Sequence, residues 1–169
     1  MAFDAFLKID GIKGESQDKA MKDAIEIKSF SFGAENNINF GSMTGGGGAG
    51  KATFKEFTVQ KQTDTASCDL FTKLCTGKHF KEASIELRRS GGADDKSGGV
   101  FMTFKFSMVM VQDITWSGQD GDDVCEEEVV FQYGAIKINY KKQKPDGKME
   151  DAGEAMWSRV LNEASDKVE

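Results

Sequence analysis

The run Phe80-Lys-Glu-Ala-Ser-Ile-Glu-Leu-Arg-Arg89 places Ala83, Ile85 and Leu87 on one face of an extended chain and Ser84, Glu86 and Arg88 on the other. This two-residue period is that of a strand with one face in a core and one in water. The segments around it repeat the theme. Val100 to Ile114 carries Met102, Phe104, Phe106, Met108 and Met110 on one side and Phe101, Val109 and Val111 on the other, so both of its faces need cover. Val124 to Tyr140 begins with Val129, Phe131 and Tyr133 at odd positions and ends with Ile136, Ile138 and Tyr140 at even ones, with Gly134 at the switch, which predicts a bulge there. Ile25 to Gly33 switches sides between Lys28 and Ser29, which calls for a bulge or a marked bend. Phe30 and Phe32 then face inward, and Ser29 and Ser31 look away from the core.

Phe3 to Asp10 reads as a first strand closed by a turn at Gly11 to Gly14, and Phe54 to Lys61 as another strand through Phe57 and Val59. Between Ser67 and Thr76 the period changes. Leu70, Phe71, Leu74 and Cys75 share a helical face, with Ser67 as the expected N-cap and Gly77 as the C′ residue. Residues 41 to 53 hold no large apolar side chain apart from Met43 and read as a long, flexible excursion; Gly91 to Gly99 reads as a hairpin tip. The end of the chain is ambiguous, because Trp157, Val160, Leu161, Ala164 and Val168 follow helical spacing whereas Trp157, Arg159 and Leu161 alternate. The whole predicts an all-β fold with one short helix.

Composition agrees. Nineteen glycines against one proline turn corners by positive φ, and thirteen phenylalanines suit a pleated surface. A chain of 169 residues, 38% hydrophobic and 30% charged, makes a single domain with a core of ordinary size. A formal charge of -6 has the wrong sign for wrapping a phosphate backbone, which disfavours nucleic acid as a partner. Cys68, Cys75 and Cys125 form no closed disulfide set and fit synthesis in a reducing compartment. Met1 to Ser16 is interrupted by Asp4, Lys8, Asp10, Lys13 and Glu15, unlike a secretory leader, and no apolar run reaches the length of a membrane span.

Motifs for catalysis are weak. Gly45, Gly46, Gly47, Gly48, Ala49, Gly50 and Lys51 satisfy the glycine and lysine spacing of a phosphate-binding loop, but Ala52 stands where a hydroxyl should hold Mg²⁺, and a strand follows instead of a helix. His79 is the only histidine, so a His-based catalytic zinc site is excluded, and Cys68 and Cys75 read as core residues. Asp120, Asp122, Asp123 and Glu126 to Glu128 lack the register of a calcium loop and read as a solvated turn. No enzyme, metal or cofactor is expected.

Several stretches taken in order resemble the hemolysin-coregulated protein (Hcp) family of type VI secretion in Gram-negative bacteria. They are Phe6 to Ser16, Ser29 to Gly33, Gly45 to Lys51, Phe57 to Lys61 with Asp64 and Ser67, Thr76 to Phe80, Ile85 to Gly92, and Phe131 to Ile138 running on to Gln143 and Asp146 to Lys148. The resemblance implies a compact two-sheet β-barrel with one flanking helix over residues 1–161, followed by a tail at 162–169. It implies a homohexameric ring that stacks into a hollow tube, carries secreted effectors and meets the spike and sheath of the machine, with no membrane insertion. It also implies synthesis in the bacterial cytoplasm and secretion without a cleaved signal peptide. Gly45 to Lys51 becomes the loop that contacts neighbouring subunits or rings, and the Ser29 and Ser31 face becomes a lumen face. Cys68 stands where many relatives have proline, and the tail beyond Asn162 has no clear counterpart; for Trp157 to Leu161 the family favours a strand. The competing reading is a monomeric β-sandwich ligand-binding module.

Overall fold

The computed structural model describes residues 3–39, 48–89 and 99–169. Ten strands and one helix follow in the order β1 (Phe3–Ile9), β2 (Ile25–Ile27), β3 (Ser29–Ser31), β4 (Ala34–Asn39), β5 (Gly48–Phe54), β6 (Phe57–Gln62), α1 (Ser67–Thr76), β7 (Phe80–Arg89), β8 (Val100–Ser117), β9 (Glu126–Gln143) and β10 (Met149–Ser158). Eight of the strands form one antiparallel sheet in the order β2-β1-β7-β8-β9-β6-β3, with β10 branching from β9. The ends of that path, β2 and β3, are neighbours in sequence, and Lys28 between them donates its N–H to the carbonyl of Gln60 at 2.7 Å. The sheet therefore curls into a nearly closed barrel, which leaves few open edges to protect. The fold is all-β with one short helix, as the sequence pattern predicts.

The bend foreseen in residues 25–33 lies at Lys28, where the chain passes from pairing with β1 to pairing with β6. At Gly134 the expected bulge is absent. Pairing runs unbroken from Ser107 opposite Ala135 to Val109 opposite Tyr133, and both strands turn over together at Met108, which adopts φ 55° opposite Gly134. Phe106 and Val109 are consequently both buried, and Met108 and Met110 leave the core. This corrects the assignment of one continuous apolar row from Met102 to Met110: a left-handed residue in mid-strand exchanges the faces. The slips of this sheet lie elsewhere, between Val111 and Asp113 of β8, between Asp151 and Gly153 of β10 and between Leu87 and Arg88 of β7.

Inside the barrel the Phe57 ring stacks on Phe106 at 4.0 Å and on Phe131 at 4.6 Å between centroids. All three are fully buried, and truncating such a ring to alanine costs about 3–5 kcal/mol. Phe30 and Phe32 lean on the same core through Phe104, leaving Ser29 and Ser31 exposed. Helix α1 has the expected span, but its cap is shifted. Ala66 is the N-cap without a side-chain bond, Ser67 is turned inward, and Gly77 closes the helix at φ 65°. Of its predicted apolar face, Leu70 is buried and Leu74 packs against the core, whereas Phe71 and Cys75 are exposed. The ambiguous end of the chain is a strand to Ser158 followed by a turn.

Candidate assembly surfaces

Residues 34–39 and 48–54 build a second sheet in which β4 and β5 pair, with Ala34 opposite Phe54 and Ile38 opposite Ala49. The structure thus corrects the flexible excursion at its C-terminal side: Gly48, Ala49, Gly50 and Lys51 lie on β5. Gly45, Gly46 and Gly47 lie outside the described residues, as does most of the predicted tip at 91–99. The ribbon is tied to the barrel at its foot, where Lys55 donates its N–H to Gly33 at 2.8 Å and Tyr133 donates its hydroxyl to the Lys55 carbonyl at 2.8 Å. Further out it exposes Ile38 at 53% of its surface. A two-stranded ribbon without a third strand or a covering helix is marginal in water, so its outer part is a surface suited to a partner.

Beside the ribbon a hollow of about 540 Å³ is lined by Phe54, Met108, Met110, Trp157 and Val160. Arg159 crosses it. Its guanidinium donates to Gln132 Oε1 at 2.9 Å and to the Tyr133 carbonyl at 3.0 Å, and it lies over the rings of Phe54 and Tyr133. Burial pushes the Tyr133 hydroxyl up from its ordinary pKa, with Arg159 opposing the shift. Residues 163–169 lie along the same corner: the Asp166 carbonyl accepts from the Ser107 hydroxyl at 3.1 Å, and Val168 approaches Gly134.

The mouth of the barrel under α1 holds a polar cluster that corrects the reading of Glu126 to Glu128 as part of a solvated turn, because all three lie on β9 and Glu127 is buried. Lys61 and Glu127 have side chains 0% and 1% exposed and are direct partners across β6 and β9. Lys61 Nζ donates to the Glu127 carboxylate, to Ser67 Oγ at 3.1 Å and to the Gln62 carbonyl at 2.9 Å, and it is ion-paired with Asp64 Oδ1 at 2.9 Å. Ser67 in turn donates to Glu127 Oε2 at 2.8 Å, while Glu127 Oε1 has no partner. The signal was present in the parity. Lys61 follows Phe57 and Val59 onto the inward face, and Glu127 precedes Val129 and Phe131 there.

A second clasp pins the loop after β1: Arg88 reaches Asp18 with both guanidinium nitrogens, and Asp18 Oδ1 also accepts the N–H groups of Ala20 and Met21. The Arg88 hydrogen bonds, with those backbone donors, lower the Asp18 pKa to about 2. Cys68 and Cys75 are exposed, contrary to their expected place in the core, and Cys125 is exposed as well. Helical spacing brought Cys75 toward the apolar face, but α1 buries only its Leu70 side deeply. Among the described residues no three His, Cys, Asp or Glu side chains are grouped as metal ligands, and none of the helices is long and apolar enough to cross a membrane.

A barrel with a projecting ribbon and one flanking helix is the architecture of the tube proteins of type VI secretion. The profile of the family described as "Type VI secretion system effector, Hcp" matches residues 6–140, and the chain belongs to that family. Protein hcp1 of Pseudomonas aeruginosa is 31% identical over 147 residues, 87% of this chain and 88% of that one. A solved type six secretion system protein superposes with a TM-score of 0.89 at 31% identity, over 97% of this chain and 100% of its own. Hcp1 from Salmonella typhimurium gives 0.73 at 26% identity, over 98% and 100%. The family is one of secreted proteins.

Proposed function

We propose that this chain is the subunit of a type VI secretion tube, that six copies close into a ring, and that rings stack into a hollow conduit that carries secreted effectors. The observation that carries the reading is the β4–β5 ribbon, a two-stranded sheet projecting from a finished barrel and exposing Ile38. Such an element gains stability from a neighbouring copy that it lacks alone. The segment Gly45 to Lys51 belongs to this ribbon contact. The exposed Ser29 and Ser31 edge supplies a polar wall for the lumen, and the spike and sheath components meet the finished tube. Synthesis in the bacterial cytoplasm followed by secretion belongs to the same reading. No residue is assigned a catalytic role and no cofactor is required.

Negative-stain images of the purified protein, with its mass by light scattering, test the reading. Rings several-fold heavier than 18.5 kDa are expected. The hollow beside the ribbon favours the alternative, a monomeric ligand-binding module. A monomeric mass at all concentrations, without rings in the images, would establish that alternative and remove the tube reading.

A further inference from the structure

One strand, β9, separates charge along its length. At its start, residues 113–128 contain Asp113, Asp120, Asp122, Asp123, Glu126, Glu127 and Glu128 and no lysine or arginine. Lys28 pairs with Glu126 and Lys61 with Glu127, while Glu128 meets only the neutral amide of Gln60, so the uncompensated charge sits on Glu128 and the four aspartates. These surround an apolar patch. Phe71 and Trp116 are 48% and 40% exposed with centroids 5.7 Å apart, Val124 is 43% exposed, and a hollow of about 520 Å³ opens between Trp116, Val124, Asp120, Asp122 and Asp123.

At the other end, the β9–β10 turn carries Lys141, Lys142, Lys144 and Lys148 around Asp146, with Tyr140 exposed beside them. The pairs Lys141–Asp151 at 3.8 Å, Lys142–Glu150 at 3.6 Å and Lys144–Glu150 at 3.5 Å are long and largely exposed, the kind that contributes about 0–1 kcal/mol, and against Asp146, Glu150 and Asp151 the four lysines leave the tip a net charge of +1. Pro145 lies within the turn, Gly147 has φ 83°, and Lys144 and Lys148 close it with a 2.8 Å backbone bond. The tip is therefore a preformed basic knob.

We propose that the basic tip of one copy docks into the acidic, aromatic hollow of another, a head-to-tail contact that adds to the ribbon in stacking rings. Charge, shape and side-chain chemistry all match: lysines meet aspartates, and an ammonium can sit over the Trp116 face. The two surfaces lie at opposite ends of a strand of 18 residues, about 60 Å along its contour. A contact between unlike ends of one object is heterologous, and it runs on as an open stack when the rotation it imposes does not close, which is the arrangement proposed. The proposal rests on the tube reading above.

The test is a charge exchange followed by sedimentation velocity across a concentration and salt series. Asp120→Lys with Asp123→Lys makes both ends basic, and Lys144→Glu with Lys148→Glu makes both ends acidic. Each pair alone should leave single rings intact but raise the concentration for half-maximal stacking at least about tenfold. An equimolar mixture of the two, or one chain carrying all four changes, should restore stacking to within about threefold of the parent. Neutral versions, Asp→Asn and Lys→Gln at the same positions, should give the same loss more weakly, and circular dichroism verifies folding. Rings that stack equally well in all variants would overturn the inference and leave the tube reading standing. A parent chain that stays monomeric throughout would overturn both.

Discussion

Replacing Lys61 by methionine should destabilise the barrel far more than a surface lysine would. The side chain is fully buried and satisfies the carboxylates of Glu127 and Asp64 at once. Without it Glu127 keeps a single bond, from Ser67, and its other oxygen already lacks a partner. Removing one member of such a pair strands a charge at low dielectric and costs about 3–5 kcal/mol. For a domain of 150–250 residues, where 1 kcal/mol moves the midpoint by about 2–4 °C, this is a fall of about 6–20 °C. The double variant Lys61→Met with Glu127→Leu removes both charges and keeps the volume filled, so it should recover most of the loss. Urea unfolding of the parent, both single variants and the double variant at one protein concentration gives the coupling energy. A Lys61→Met chain within 1 kcal/mol of the parent, or a double variant that loses the sum of the two singles, would refute the buried-pair argument.

Other expectations follow from local geometry. With its pKa lowered to about 2, Asp18 contributes stability that is complete above the unfolded carboxylate pKa near 4 and is lost as the pH falls through 2; protease cleavage between residues 13 and 24 should rise over that interval, and Asp18→Asn should make it independent of pH there. Gly134→Ala places a methyl 3.2 Å from Met108 Cβ and 2.9 Å from Val168 Cγ1, so thermal unfolding should show a loss of about 1–3 kcal/mol that Val168→Ala partly relieves. Adding ATP and Mg²⁺ should leave the melting temperature unchanged in the parent and in Lys51→Ala alike, because Lys51 and Ala52 sit in a paired strand; a nucleotide-dependent rise abolished by the substitution would revive the phosphate-loop reading. Replacing Gly45 to Gly50 by two residues removes the pairing of Gly48 and Ala49 with β4, so the circular dichroism signal of the barrel should persist while ring stacking in the sedimentation profile falls; equal stacking would show that the segment makes no contact between rings.

Strands with one wet face were legible residue by residue. Ala83, Ile85 and Leu87 alternate and are buried as alternation requires, and the switch at Lys28 was visible in the parity of Ile27 and Phe30. What escaped depends on contacts between distant segments. Nothing near Met108 announces a left-handed residue; that turnover is set by Gly134, 26 positions on, which leaves room for it. Strand β4, Ala-Glu-Asn-Asn-Ile-Asn, is too polar to read as a strand, because its ribbon has no core to face. Ser67 looked like a helix cap because the local pattern cannot know that Lys61 and Glu127 meet it from behind. Phe71 was assigned to the apolar face of α1 by its period, yet it lies 48% exposed beside the ring of Trp116.

Lys28 gives the barrel a seam of an unusual kind. Elsewhere the wall is held by ladders of hydrogen bonds between strands, but at this point its circumference is continued by the covalent chain itself, with β2 committed to one edge and β3 to the other. New termini cut at Lys28 would turn the tube wall of a single subunit into a sheet with two raw edges, each a strand of three residues free to slide or to recruit a stranger. New termini in the turn at Gly121, by contrast, would sever only a loop. The same peptide sets the order of assembly during folding. Its two flanking strands can each pair early, but the circle is complete only when β1 and β6, on opposite sides of the growing sheet, have both arrived, so closure is the step most exposed to competition from a second chain.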